Sequence, residues 1–282
     1  MNCNDLKIVK TTIEVGLKKP IKLLHITDSH IFRDDTTGWN RKKDFDVDFD
    51  GCTETYFLKA LEYAKTNNLP IIHTGDIIDF FSEGNFNFLG KYFTKDIDYI
   101  YAAGNHDFVD FNDIKKGKQE TKEYKEKQIS AIAPFIKNNL YFYSRVIGGV
   151  NIVALDDSYY QISEGQIDML KAEVAKGYPI ILCMHVPFFG PDSATRTASG
   201  KIVLDVAVPE SVIETYPIDR QLQIRPDNAT LKAVDYIKNE PMIKALLTGH
   251  HHYNVVENLE TGLLQIMTAG SFYGYVREIT VL

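Results

Sequence analysis

The chain has 282 residues, 44% hydrophobic and 24% charged, with a formal net charge of −7 at pH 7. This is globular composition, enough for a large core in a single α/β domain, and it excludes collagenous and disordered chains. The acidic balance argues against a broad basic face for nucleic acid.

The polar start from Met1 to Lys7 lacks the apolar stretch of a signal peptide, and no later run reaches membrane-spanning length. The expectation is a soluble, cytoplasmic protein. Cys3, Cys52 and Cys183 are widely spaced and form no Cys-x-x-Cys. Three ordinary thiols in a reducing compartment are expected.

Residues 8–15 alternate as a strand and end at Gly16 and Pro20. A short apolar strand at 21–27 runs into Asp28-Ser29-His30. After a polar loop to about Gly51, residues 53–68 carry Tyr56, Phe57, Ala60, Leu61 and Ala64 at helical spacing. A strand over 69–74 ends in Gly75-Asp76 and Asp79, a helix is expected over 86–93, and a strand over 98–103 ends in Gly104-Asn105-His106-Asp107. A charged helix is expected over 113–133, then strands at 141–146 and 150–155 joined at Gly148-Gly149. Ser163 and Gln166 form a capping box that opens a helix closing at Gly177. A strand over 178–184 ends in His185, and residues 186–226 are long and poorly periodic. Asp227 or Asn228 caps a helix to about Asn239, a strand over 243–248 ends in Gly249-His250-His251-His252, and residues 253–282 read as hairpin strands.

Five of these apolar runs share one design. Each ends in a turn that delivers Asp, Asn or His: Asp28 and His30, Asp76 and Asp79, Asn105 and His106, His185, and His250 and His252. Ligands gather outside the carboxyl ends of strands in α/β sheets. A lone acid after a strand is ordinarily a turn residue, but chance would scatter such residues. Carboxylate, carboxamide and imidazole donors without thiolate suit Mn, Fe or Zn. Two such ions about 3.5–4 Å apart can clamp a phosphate and activate water. If the last strand continues through the histidines, alternation turns His250 and His252 to one side and His251 to the other.

Asp28-x-His30, Gly75-Asp76-x-x-Asp79, Gly104-Asn105-His106-Asp107, His185 and Gly249-His250-x-His252 resemble, in order, the five motifs of the calcineurin-like metallophosphoesterase superfamily. The resemblance implies a four-layer α/β/β/α sandwich, with the hairpin-rich C-terminal part in the second sheet. It implies a dinuclear site in which Asp28, His30 and His252 hold one metal ion and Asn105, His185 and His250 the other, with Asp76 bridging. His106 would be the proton donor or transition-state stabiliser at the leaving oxygen, and Asp79 the acid that orients it. A metal-held hydroxide would be the nucleophile. Asp79 stands where purple acid phosphatases have a tyrosine ligand, so no purple charge-transfer band is expected.

Other residues invite weaker readings. Asp46-x-Asp48-x-Asp50-Gly51 resembles half a calcium loop, but Phe57 stands where the liganding glutamate belongs; a solvated acidic loop is preferred. Arg33, Asp34, Asp35 and Trp39 could border the site. His25 and His73 precede the strand ends and read as packing, and Ser29 as a small spacer. Lys115, Lys116 and Lys118 read as a solvated helix face. Residues 186–226 leave directly from His185 and read as a lid or specificity insertion, with Phe188, Phe189, Arg196, Tyr216, Arg220 and Arg225 available to grip a substrate.

The expected function is metal-dependent hydrolysis of a small phosphomonoester or phosphodiester, in a single domain spanning 1–282. The Asn-His-Asp form of the third motif also resembles the cyclic-nucleotide phosphodiesterase branch. A non-catalytic metal-binding scaffold is the alternative of another class. It would be expected to lose ligands or the proton donor, and this chain keeps all of them.

Overall fold

Short apolar runs interrupted by turns give strands, and longer amphipathic runs give helices. In a computed structural model of the chain, the residues described are 3–33, 52–94, 96–110 and 122–282. Asp34, Asp35, Trp39, the segment Asp46–Gly51 and Lys115, Lys116 and Lys118 lie outside them.

The first half of the chain supplies β1 (Lys7–Ile13), β2 (Ile21–Ile26), α1 (Thr53–Thr66), β3 (Ile71–Thr74), α2 (Glu83–Tyr92), β4 (Tyr99–Ala102), a 3₁₀ turn (His106–Phe108) and α3 (Lys122–Ile132). The second half supplies β5 (Phe142–Ile147), β6 (Val150–Leu155), α4 (Glu164–Val174), β7 (Ile180–Cys183), α5 (Pro191–Ala198), α6 (Glu210–Ile213) and α7 (Ile218–Ile224). It continues with α8 (Asn228–Asn239), β8 (Ile243–Thr248), β9 (Val255–Asn258), β10 (Leu264–Met267), a 3₁₀ turn (Ser271–Tyr273) and β11 (Tyr275–Val281). Side chains start the helices: Asp227 accepts from the Thr230 N–H and Ser163 and Gln166 complete a capping box, both as expected, while Ser82, accepting from the Asn85 N–H, starts α2 three residues before the expected helix.

Two sheets result, with strand orders β1-β11-β2-β3-β4 and β5-β6-β7-β8-β10-β9. Strands β2, β3 and β4 are parallel, as are β6, β7, β8 and β10. The sheets pack face to face through an aliphatic layer that includes Leu23, Ile72, Ile100, Ile152, Ile181, Leu247 and Ile279. The outer face of the first sheet is covered by α1, α2 and α3 through Phe57, Phe88 and Ile132, and that of the second by α4 and α8 through Leu170 and Ile237. This is the expected four-layer α/β/β/α sandwich.

Three expectations change. The C-terminal hairpin is β9–β10 alone. β11 crosses to the first sheet, between β1 and β2. Its Val276 packs on the outer helices while Ile279 and Val281 face the intersheet layer, so it suits a central strand covered on both faces. Buried Arg277 of β11 donates to Thr11, Thr268, Asn254 and the Met267 carbonyl, which ties three chain segments together.

The segment 186–226 carries three short helices and is packed on the second sheet. Phe188, Val206, Ile213 and Ile224 are fully buried there. Its expected gripping residues are largely turned inward or paired: Phe188 and Tyr216 are buried, Arg196 pairs with Asp192, Arg220 with Gln223, and Arg225 with Glu210. Arg33 likewise pairs with Glu54.

Finally, Cys3 and Cys52 form a disulfide, and only Cys183 is a buried free thiol. The two partners are 49 residues apart and meet because the N-terminal arm returns to the start of α1. Disulfides persist in oxidising surroundings, so the ground for expecting a reducing compartment is removed. Among the described residues no helix is long and apolar enough to cross a membrane.

Candidate metal centre

The carboxyl ends of β2, β3, β4, β7 and β8 converge at one end of the sandwich. The turns there are stitched together by backbone hydrogen bonds. Asp28 donates to the Gly75 carbonyl at 3.0 Å, His30 to the Asp76 carbonyl at 2.9 Å, and Gly249 to the His185 carbonyl at 2.9 Å. The turns are forced into unusual shapes. Asp28, His30, Asp76, His250 and His252 have φ of 48, 43, 53, 68 and 61°. Such left-handed non-glycine residues cost about 1–3 kcal/mol each and cluster at functional sites. The two histidines therefore face the centre from a left-handed loop, since β8 ends at Thr248 and alternation does not operate beyond it.

The glycines serve close approach. A Cβ on Gly104 would collide with the Asp76 carboxylate, and one on Gly249 with Thr27 and the Asp28 carboxylate.

Asp76 lies at the middle. Its Oδ2 is 3.6 Å from His30 Nε2 and 3.2 Å from His185 Nε2, while its Oδ1 accepts the His106 N–H at 2.8 Å. On one side, His252 Nε2 lies 3.3 Å from both His30 Nε2 and Asp28 Oδ1. On the other, His250 Nδ1 lies 3.3 Å from His185 Nε2. Asn105 presents a buried carbonyl oxygen with no hydrogen-bond partner. Two close pairs of imidazole nitrogens, two carboxylates and an orphaned amide oxygen form an all-oxygen-and-nitrogen donor set. That set fits hard or borderline metal ions. The triads Asp28–His30–His252, Asp28–Asp76–His185 and His30–Asp76–His106 each offer donor atoms within 4.8 Å of one another. In the last, His106 differs from the others because its Nδ1 already contacts the Asp79 carbonyl at 2.9 Å and Asp79 Oδ1 at 3.1 Å. The same Asp79 Oδ1 lies 3.0 Å from His30 Nδ1.

Electrostatics follow from this crowding. Burial opposes ionisation of Asp28 and Asp76, but His252 beside the first and His185 beside the second hold both well below the usual carboxylate range. Burial also opposes protonation of His106 and His185, yet the Asp76 charge outweighs it, with Asp79 helping at His106. Both rings are pushed up to about 10 in the metal-free chain. Burial lowers His250, further depressed by His185, and lowers His30 against the Asp79 hydrogen bond.

A stability prediction follows with a definite sign. Between the ordinary histidine pKa of about 6.5 and about 10, the folded metal-free chain holds protons on His106 and His185 that the unfolded chain has released. Stability then falls as pH rises. Below about 6.5 the four buried neutral rings His25, His30, His73 and His250 reverse the sign, outnumbering Asp107 and Asp157, which burial pushes up to about 7 and which act the other way. The metal-free Tm should peak near pH 6.5 and fall by pH 9. A metal-free Tm that rose from pH 7 to 9 would contradict this account.

All seven expected ligands meet here, together with His106 and Asp79. Several supporting residues were given no role by sequence reasoning. Buried Asp107 accepts the backbone N–H groups of Asp76 at 3.0 Å, Ile77 at 3.0 Å and Gly104 at 2.7 Å, and also the Tyr101 hydroxyl, so it binds the second and third turns together. It stands inside a motif already noticed. Phe272 meets the rings of His30 and His252 edge-on at 5.4 and 4.8 Å, and nothing local in the sequence marks it. Ser29 is more than a spacer, bridging His73 Nε2 at 2.9 Å and Ser271 Oγ at 2.8 Å. His25 joins Thr74 and Thr268, each at 2.8 Å, and is a buried packing histidine as expected. His251 points away from the centre to Asp205 at 2.5 Å.

Comparison with known proteins bears on the family and the fold. A family model described as calcineurin-like phosphoesterase matches residues 21–254. No curated protein matches the chain. Among solved structures, the fold is similar to a dimetal phosphatase from Danio rerio, with TM-score 0.54 and 12% identity over 89% of this chain and 88% of that one. A purple acid phosphatase from yellow lupin aligns with TM-score 0.47 and 13% identity, covering 92% of this chain and 45% of that one. A 5'-nucleotidase from Candida albicans aligns with TM-score 0.40 and 13% identity, covering 95% of this chain and 47% of that one.

Proposed function

Since the chain belongs to the calcineurin-like phosphoesterase family, whose members are metal-dependent phosphoester hydrolases, we propose that it hydrolyses a small phosphomonoester or phosphodiester at the centre around Asp76. The observation that carries this reading is the placement of Asp76 Oδ2 between His30 Nε2 at 3.6 Å and His185 Nε2 at 3.2 Å, with donors from both sheets around it. Asp28, His30 and His252 would hold one ion; Asn105, His185 and His250 would hold a second; Asp76 would serve both. Mn, Fe and Zn suit these donors. The chemistry supplied by two bound ions is Lewis acidity toward a phosphate and its attacking water.

The remaining work falls to side chains. Asp79 holds the Nδ1 face of His106, which leaves Nε2 as the nitrogen that would carry the transferable proton. Held cationic by Asp76 and Asp79, His106 delivers that proton to the leaving oxygen. Asp79 also fixes the tautomer of His30, so one carboxylate orients a ligand and an acid together. Residues 186–226, which leave from His185, would serve as a packed specificity element beside the centre, with most of the side chains expected to grip a substrate buried or paired.

Metal-free protein reconstituted with Mn²⁺ is expected to cleave p-nitrophenyl phosphate or bis(p-nitrophenyl) phosphate, and chelation should abolish the rate. The ratio of the two rates assigns monoester or diester preference. A fully metallated preparation inert toward both, and toward a panel of nucleotide and sugar esters, would favour a binding scaffold instead.

A further inference from the structure

A sixth strand ends beside the centre. β6 lies parallel to β7 and stops at Leu155, and the chain then turns through Asp156, Asp157, Ser158, Tyr159 and Tyr160. Resting on the dinuclear reading, we propose that this turn is the positioning element for the half of the centre built on His185 and His250. Tyr160 is the acceptor that sets the His250 ring.

Two contacts reach the ligands directly. Fully buried Asp157 accepts the backbone N–H of His185 at 2.9 Å and of Val186 at 3.3 Å, which fixes the chain where His185 leaves β7. The Tyr160 hydroxyl lies 3.5 Å from His250 Nε2, and the rings meet edge-on with centroids 5.7 Å apart. His250 turns Nδ1 toward His185 Nε2 at 3.3 Å, so Nε2 is its outward nitrogen. A ring that binds through Nδ1 carries its proton on Nε2, and the phenol oxygen accepts it. An outer partner of this kind fixes both tautomer and ring orientation.

The backbone supports the assignment. Tyr160 is buried and has φ of 63°, in the left-handed region that bulky residues avoid. A glycine would make the same turn without strain; what the tyrosine adds is a ring and a hydroxyl. The turn is braced by the Tyr160 N–H to the Asp157 carbonyl at 2.7 Å and by Ser158 Oγ to Asp156 Oδ1 at 2.6 Å. It is also fastened to the third motif. Lys125 of α3 pairs with Asp156 at 2.8 Å and sits over the rings of Tyr159 and Phe108, and Phe108 closes the 3₁₀ turn that begins at His106. One short turn thus touches the elements that carry His106, His185 and His250.

Calorimetric titration of the metal-free full-length protein with Mn²⁺ tests this. Wild type should take up two equivalents. Tyr160→Phe keeps the ring and the packing, so its metal-free Tm and circular dichroism should match wild type. Its affinity for one equivalent should weaken about 10–100-fold while the other stays within twofold, since loss of an outer partner typically costs that much. Asp157→Ala should weaken the same equivalent. Two equivalents bound by Tyr160→Phe with wild-type affinities would overturn the inference and leave the dinuclear reading standing. Equal weakening of both would overturn the confinement to one half. A wild type that binds fewer than two would overturn the dinuclear reading and this inference with it.

Discussion

Replacing Asp76 by asparagine is expected to leave at most one metal per chain and to lower kcat/KM by more than about 10³-fold, beyond the 10–100-fold that loss of an outer partner costs. The substitution is nearly isosteric, so the fold should survive. What changes is charge and donor type at the one oxygen that faces His30 Nε2 at 3.6 Å and His185 Nε2 at 3.2 Å. An amide can present a single neutral oxygen to one side or the other, and its NH₂ group repels a cation. The same change removes the negative charge that keeps His106 protonated. Both the metal site and the acid are therefore damaged together. Elemental analysis after reconstitution, with circular dichroism as the folding control, measures the effect. A variant that kept two metals and lost less than tenfold in rate would show that Asp76 is not shared between the ions.

His106→Ala is expected to behave differently. Metal content should stay at the wild-type value while kcat falls by about 10²–10⁴-fold, the usual contribution of a positioned general acid. The loss should depend on the leaving group. Esters of p-nitrophenol need little protonation as they depart and should lose little, whereas alkyl esters should lose the full factor. His106 lies close enough to His30 and Asp76 for its donor atom to be grouped with theirs, so the alternative role is a ligand. A fall in bound metal with no leaving-group dependence would establish that alternative. The engagement of Nδ1 by Asp79 is the reason to expect the first outcome.

The sequence made the scaffold of this site readable because strand ends are local features. An apolar run that stops at a turn carrying Asp or His can be seen without knowing its neighbours, and Asp28, His30, Asp76, Asn105, His185, His250 and His252 were found in that way. What could not be seen is anything that depends on two distant segments meeting. Asp107 collects N–H groups from the second and third turns, and Phe272 lies against rings 20 or more residues away in sequence. Asp157 follows a strand as the other acids do but has no histidine or glycine beside it to mark it. The Cys3–Cys52 bond is non-local for the same reason. The helices of segment 186–226 are not legible in the sequence because they are short and held by buried contacts such as Phe188 and Ile213 rather than by a long amphipathic repeat. His250 and His252 face the centre together, as strand alternation would also predict, but a left-handed backbone turns them there.

The insertion of β11 between β1 and β2 bears on the order of events during synthesis. The first sheet is made of strands from the two ends of the fold, so β1 and β2 emerge from the ribosome as neighbours in sequence that must stay apart for a later guest. Until residues 275–281 are released, β2 has no partner on that side, and Arg277 cannot reach Asn254 beyond the histidine loop. Non-local strand pairing of this kind is slow because loop closure must precede any gain. The first sheet is therefore closed only when its last strand in sequence has been made, although every expected ligand precedes that strand.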